Sequence, residues 1–343
     1  MKSEVLLSYR KENGYIDYDK FIEENPEIKQ SSEDRGTPKR NKIWLRFEDV
    51  DILARDESLD EDGVLYTGIQ ELIFEELSKQ VKFPCAHYDI GIRGEKCCVF
   101  SENILKNQTH LEMVSLRDLL DATETKQDYD HSFDISDAFR AMANHCKCMN
   151  IDDETQESVM KDFAKMQVLD TFLSSTDRHA ENISFLTGLD KATGKPIFRL
   201  SPLYDNELSC GSEEPQEKMQ TCLDNYTEAV LTASMQSPCG MAPEEAEHET
   251  QKRVRVAVKD PSSAVLQFCM GLDEEVEDFA GDCQDKLNIP LAIKAVEART
   301  GIEIPQEYKE FLINNYMCRK PLMVNAINEF YEDPSVGGII WNL

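Results

Sequence analysis

The sequence predicts an α+β protein of two lobes, a small mixed β/α N-lobe over residues 1–103 and a larger, mainly helical C-lobe over residues 104–343. Three observations predict it. A length of 343 residues corresponds to about two units at ~150 residues each. The first hundred residues alternate strand-like and helix-like patterns, whereas apolar residues further on recur mainly at helical spacing. Hydrophobic residues make up 41% of the chain and Gly and Pro number only 15 and 13, which suits a buried core and excludes a low-complexity chain.

Each element has a local reason. Residues 1–40 are polar and charged, and Gln30 to Arg40 (QSSEDRGTPKR) reads as a loop. The alternating run Lys42-Ile43-Trp44-Leu45-Arg46-Phe47 predicts a strand, and Asp56 to Asp62 an acidic loop. Thr67 is placed to cap a helix carrying Ile69, Leu72, Ile73, Leu77 and Val81 on one face, with Phe83-Pro84 as its stop. Tyr88–Ile92 and Lys96–Phe100, joined through Arg93-Gly94-Glu95, read as a hairpin. Beyond it, Ser115 opens a short helix around Leu116–Leu120, and Ser136 heads another to about Cys148. From Glu157 to Leu173 the positions Met160, Phe163, Met166, Leu169 and Leu173 form a core-facing stripe. A hairpin follows at Ile183–Leu186 and Ile197–Leu200. The acidic runs Glu244–Glu249 and Asp273–Asp278 read as solvated faces, and from Leu287 a helical end is expected.

Charge narrows the function. With 66 acidic and 37 basic side chains the formal charge is −29, which argues against nucleic acid or an anionic membrane as a direct partner. No run of ~18 apolar residues offers a membrane span. The start of the chain lacks a secretory pattern, and the 11 scattered cysteines fit reduced thiols in the cytoplasm better than a disulfide framework. His145-Cys146-Lys147-Cys148 is the one cluster with metal-like spacing, but it has no partner C-x-x-C, so packing is the preferred reading.

The chemistry concentrates at Asp177, Asn182 and Asp205. In Asp177-Arg178-His179-Ala180-Glu181-Asn182 a carboxylate precedes an amide in a loop after a helix, and Pro202-Leu203-Tyr204-Asp205 follows the run Ile197–Leu200. Phosphoryl transfer uses such a set: one carboxylate to orient the acceptor hydroxyl, and an amide oxygen plus a second carboxylate for Mg²⁺. Alone, D-x-x-x-x-N is equally an Asx-rich turn. The order of small lobe, helices, D-R-H-x-x-N and hairpin-plus-Asp is the layout of a protein-kinase-like fold.

On these residues the chain resembles the HipA-like serine/threonine kinases, toxins of bacterial HipBA-type modules, in a short form. Ser175-Thr176-Asp177-Arg178-His179-Ala180-Glu181-Asn182-Ile183-Ser184 matches that family's catalytic loop, and Leu200-Ser201-Pro202-Leu203-Tyr204-Asp205 its metal-binding segment. The helix Gln70–Leu77 with Phe83-Pro84 matches the N-lobe helix. The resemblance spans roughly Gly36 to Asp205. It implies ATP and Mg as cofactors, Asp177 as catalytic base, and Asn182 and Asp205 as metal ligands. It further implies His179 and Tyr204 beside the phosphates, and a phosphate-covering loop in Asp34–Lys39 with Gly36, Thr37 and Lys39. Glu71 becomes the helix carboxylate that steadies the strand cation, and Val99–Asn103, with Phe100 and Ser101, the adenine-contacting hinge. The strand cation, Lys in the family, falls on Arg46, with Lys42 as the alternative. Ser31 and Ser32 stand where family members autophosphorylate.

The implied function is transfer of the ATP γ-phosphate to a protein Ser or Thr, with a toxin role and autophosphorylation as further implications. A separately encoded antitoxin or N-subdomain partner would complete the short form. Two other readings stay open: a nucleotide-binding pseudokinase that regulates a partner, and a phosphoinositide-type lipid kinase, which should carry a basic surface that this composition lacks.

Overall fold

The computed structural model describes residues 3–32, 42–47, 50–56, 59–60, 63–64, 66–105, 108, 110–123, 133–212, 216–235, 240–241 and 261–332. The chain opens with helix α1 (Ser3–Leu7), strand β1 (Ile16–Asp17), helix α2 (Tyr18–Glu24) and strands β2 (Lys29–Ser32), β3 (Lys42–Phe47) and β4 (Val50–Asp56). The short strands β5 (Leu59–Asp60) and β6 (Gly63–Val64) precede helix α3 (Thr67–Gln80) and the hairpin β7 (Tyr88–Arg93) and β8 (Lys96–Glu102). Six of these strands form one sheet in the order β1-β7-β8-β4-β3-β2, with β1 parallel to β7 and every other pair antiparallel.

Side-chain alternation gives this sheet two buried faces. Leu45, Ile52, Ala54, Cys98 and Phe100 point to one side and, with Leu6, Ile16, Tyr18 and Phe21, make a small separate core. Tyr88, Ile90 and Val99 point to the other and meet α3 through Ile69, Leu72, Ile73 and Leu77. Leu72, Ile73, Phe74 and Leu77 are each 0% exposed, so each contributes about 2 kcal/mol of burial. That pins α3 tightly enough to hold a charged side chain in register with β4.

This N-lobe is richer than the strand, helix and hairpin read from the sequence. Residues 3–32 supply two helices and two strands, because Leu6, Ile16, Tyr18 and Phe21 are spaced to cover one sheet face. The segment read as an acidic loop begins inside β4, where Asp56 is 5% exposed and accepts from Arg93. Residues 33–41, which include the whole predicted phosphate-covering loop Asp34–Lys39, lie outside the described residues.

The rest of the chain is mainly helical. Strand β9 (Leu111–Ser115) leads into α4 (Leu116–Asp121), where Ser115 and Asp118 form a capping box. Next come β10 (Phe133–Asp134), α5 (Ile135–Met149) and α6 (Asp153–Leu173). Asp152 caps α6 by accepting from Thr155 N at 2.8 Å, so the helix starts before the predicted Glu157. Met160, Phe163, Met166, Leu169 and Leu173 are all buried, as the stripe predicts. Strands β11 (Ser184–Leu189) and β12 (Pro196–Leu200) form the expected hairpin, and β9 joins it in the order β12-β11-β9.

Helices α7 (Gln216–Asp224) and α8 (Tyr226–Met235), strand β13 (Gly240–Met241), and helices α9 (Pro261–Met270), α10 (Glu274–Lys286), α11 (Ile289–Thr300) and α12 (Gln306–Glu332) complete it. Arg319 of α12, 1% exposed, donates to Thr171 O, Ala233 O at 2.8 Å and Ser262 Oγ at 2.7 Å, tying α12 to α6, α8 and α9. The acidic run at Asp273 caps and opens α10, where negative charge suits the helix N-terminus. Among the described residues no helix is long and apolar enough to cross a membrane.

Candidate active site

The site forms where the loop after α6 meets the segment after β12. Helix α6 ends at Ser174, whose φ of 51° turns the chain sharply. Thr176 N then donates to Leu208 O at 3.1 Å, drawing the loop toward the second segment. Arg178 completes the join. It is 2% exposed, and its Nε faces Asp170 Oδ2 at 3.2 Å, its Nη1 donates to Tyr204 O at 2.8 Å, and its Nη2 donates to Asn206 Oδ1. The second segment is also fixed to the turn after α3: Leu203 N donates to Pro84 O at 2.9 Å and Ala86 N to Leu203 O at 2.8 Å.

Asp177 and Asn182 are in direct contact. Asn182 Nδ2 donates to Asp177 O at 2.8 Å and reaches Asp177 Oδ2 at 3.4 Å. With its nitrogen so used, the amide oxygen is the atom left to face a cation. Burial pushes the Asp177 carboxyl up, His179 opposes the rise, and the nearby carboxylates of Asp205 and Glu207 add to it. His179 Nδ1 accepts from Glu181 N at 3.2 Å, which assigns the proton of a neutral ring to Nε2, 3.7 Å from Asp177 Oδ1. The Tyr204 hydroxyl bonds Ser184 Oγ at 2.6 Å and donates to Glu181 O at 3.2 Å, so it braces the loop.

Asp205 sits at φ 56°, with its N–H donating to Tyr88 Oη at 3.1 Å. That turn aims its carboxylate at β4, where it meets Arg55. The same guanidinium donates from Nη2 to Glu71 Oε1 at 3.1 Å and to Glu207 Oε2 at 2.6 Å. Glu71 accepts in turn from Asn206 N at 2.9 Å. Burial pushes the Glu71 carboxyl up to about 7, against the pull of Arg55 and with Asp205 and Glu207 adding to it. Oxygens of Glu71, Asp205 and Glu207 lie within 4.8 Å of one another, and all three carboxylates gather around the Arg55 guanidinium. Among the described residues no other His, Cys, Asp and Glu group is so gathered, and His145 packs on the Phe198 ring at 4.6 Å.

Two sequence expectations are corrected here. The cation paired with Glu71 is Arg55, not Arg46. In the β3–β4 register Lys42 stands opposite Arg55 and Arg46 opposite Asp51, which places Arg46 about 13 Å further along the strand at ~3.3 Å per residue. Its side chain is 58% exposed and faces Asp51 at 3.5 Å. Phe100 is the second. Its ring points to the face away from α3 and stacks on Tyr18 at 6.2 Å, while Ser101, opposite Leu53, shares the Arg55 face. Gly36, Thr37 and Lys39 lie outside the described residues; Ser31 and Ser32 end β2, paired in the ladder with Trp44 and Ile43. Arg55 and Glu207 were missed in the sequence, although the alternation Ile52-Leu53-Ala54-Arg55 is a strand signal.

A small sheet with one packed helix, a helical lobe, and a carboxylate–amide loop facing an Asp turn define a protein-kinase-like fold. The chain belongs to the family of HipA-like C-terminal domains, whose family model matches residues 65–260. Among solved structures, a proinflammatory kinase of Helicobacter pylori, CtkA, superposes with a TM-score of 0.66 at 16% identity, covering 89% of this chain and 97% of that one. The HipA of Shewanella oneidensis MR-1, solved with HipB and operator DNA, superposes with a TM-score of 0.53 at 14% identity, covering 87% of this chain and 67% of that one. None of the curated proteins matches. That operator complex lends no support to the expectation that nucleic acid is excluded as a direct partner.

Proposed function

We propose that this protein is an ATP- and Mg²⁺-dependent phosphotransferase that acts on a Ser or Thr hydroxyl of a protein. One observation carries the reading. Asp177 and Asn182 are in contact, the Asp205 carboxylate is near enough to act on Asp177, and Asp205 in turn meets the Arg55 that pairs with buried Glu71. In this scheme the acceptor oxygen attacks the γ-phosphorus, the bond to the bridging oxygen breaks, and ADP leaves. Asp177 holds the hydroxyl in line and takes its proton, a role that a carboxyl raised by burial suits. Arg55 faces the phosphates as the strand cation, and its planar fork reaches carboxylate and phosphate at once. Asn182 and Asp205 would hold Mg²⁺, which when bound supplies charge neutralisation on the phosphates. His179 and Tyr204 border the phosphate side, Ser101 lies on the nucleotide face, and Gly36, Thr37 and Lys39 are assigned to the covering loop. Family membership favours a separately encoded partner of antitoxin type, and Ser31 and Ser32 are the proposed autophosphorylation positions.

The test is transfer from γ-labelled ATP to protein by wild type and Asp177→Asn. Loss of a general base should lower transfer by about 10²- to 10⁴-fold while ATP still binds. Equal transfer by both proteins would remove Asp177 from the chemistry. ATP binding without any transfer in wild type would favour the pseudokinase reading.

A further inference from the structure

Arg55 divides its two terminal nitrogens between unlike partners. Nη2 donates to Glu71 Oε1 at 3.1 Å and to Glu207 Oε2 at 2.6 Å, and these side chains are 1% and 7% exposed. Nη1 donates to Asp205, whose side chain is 24% exposed. Hydrogen bonds between charges are stronger away from water, so the Nη2 bonds are the durable ones and the Nη1 bond is the one that solvent or a ligand can reach. Glu71 is further committed by accepting from the Asn206 N–H and amide, and Glu207 gives Arg55 Nη2 its shorter bond.

We propose that Glu207 is a positioning residue that anchors Arg55 Nη2, so that Nη1 can pass from Asp205 to the phosphates of an entering nucleotide. The exchange frees the Asp205 carboxylate for the cation that accompanies those phosphates. No covalent bond changes; one charge-assisted hydrogen bond is traded for another. The inference rests on the phosphotransfer reading above and adds a residue that reading does not use. Its physical content is a competition. Asp205 competes with phosphate for Nη1, whereas Glu207 holds the guanidinium where phosphate can meet it.

Competition predicts opposite signs for two removals of the same charge. Binding of ATP to the full-length protein in EDTA, measured by calorimetry, isolates the Arg55 contact from metal ligation. Asp205→Asn should tighten binding about threefold to tenfold, because Nη1 loses its resident partner. Glu207→Gln should weaken it about threefold to tenfold, because the weakened anchor lets Arg55 swing toward Asp205. A simple field effect would tighten both, since each change removes a negative charge near the phosphates. Glu207→Asp adds a second arm: it keeps the charge but withdraws it by one methylene, and it should also weaken binding. It serves equally if Glu207→Gln does not fold. Tightening by Glu207→Gln, or an unchanged Glu207→Asp, overturns the anchoring role while leaving the phosphotransfer reading standing. Failure of wild type to bind ATP either in EDTA or with Mg²⁺ overturns both.

Discussion

Arg178 and Asn206 are joined by a buried hydrogen bond from Nη2 to Oδ1, and this contact makes the loop after α6 and the segment after β12 one unit. Asp170, one helical turn before the end of α6, balances the guanidinium at 3.2 Å with a side chain 0% exposed. Removing one partner of such a pair strands a buried charge. Arg178→Ala should therefore cost about 3–5 kcal/mol in urea unfolding. Arg178→Lys should recover only part, because a single ammonium cannot span Asp170, Tyr204 and Asn206. A loss below ~1 kcal/mol would show that the two segments hold their places independently.

This dependence explains what was legible in the sequence. Asp177, Asn182 and Asp205 stand out as candidates because each lies in a short local pattern, whereas the contacts that join their segments, Thr176 N to Leu208 O and Arg178 to Asn206, are long-range in sequence. The hairpin β7–β8 and the α6 stripe were readable for the same reason, since periodicity is local. Arg55 was not. Its importance comes from strand register and from α3 bringing Glu71 opposite, neither of which is encoded within a window around residue 55. Phe100 misled because the hinge assignment located the segment without deciding which face its ring takes. The N-terminal helices are masked by their polar outer faces, while Leu6, Tyr18 and Phe21 mark the inner ones.

A second contact that sequence alone does not reveal joins the N-terminal loop to the turn between α11 and α12. Gly14 has φ +86°, and a Cβ there would lie 2.4 Å from Ile302 N and 2.6 Å from Gly301 C. These are backbone atoms that cannot rotate away. Gly94 also has positive φ, +60°, yet nothing stands within 4 Å of its Cβ position. Gly94→Ala should cost about 1 kcal/mol from backbone strain alone, and Gly14→Ala about 2–4 kcal/mol. Comparing the two melting temperatures isolates the close approach; equal losses would mean that the turn moves aside.

Glu75 supplies a pH-dependent part of the stability. Its side chain is 4% exposed, and it accepts from Arg299 Nη2 at 3.0 Å and Tyr88 N at 3.2 Å, with His87 Nδ1 and Lys79 Nζ each at 2.8 Å. Burial alone would raise its carboxyl, but His87, Arg299 and Lys79 outweigh burial and hold it at about 2, against 4.5 in the open chain. A depressed carboxyl stabilises the fold fully above the unfolded value and loses that stabilisation as pH falls from about 4.5 toward about 2. The expected contribution near neutrality is roughly 2–4 kcal/mol. Wild type should therefore exceed Glu75→Gln clearly at about pH 7, and the gap should narrow by about pH 3. A gap independent of pH would assign the effect to packing.

The register of β3 on β4 separates two arginines by four residues along the same strand pair. Arg46 and Arg55 are both arginines on the same sheet face, so composition and strand pattern do not separate them. Position does: Arg46 lies opposite Asp51 and is largely in solvent, whereas Arg55 lies opposite Lys42 and against α3. An exposed ion pair of the Arg46–Asp51 kind contributes about 0–1 kcal/mol, so Arg46→Ala should leave both stability and ATP affinity within about twofold of wild type. Arg55→Lys keeps the charge that Glu71, Asp205 and Glu207 require, which protects the fold from three uncompensated carboxylates. It gives up the fork, since one ammonium cannot anchor on two buried carboxylates and still reach a phosphate in the same geometry. ATP binding with Mg²⁺ should fall about tenfold or more in Arg55→Lys. If Arg46→Ala weakens ATP binding as much as Arg55→Lys does, the nucleotide lies toward the far end of β3, and the Arg55–Glu71 pair is structural only.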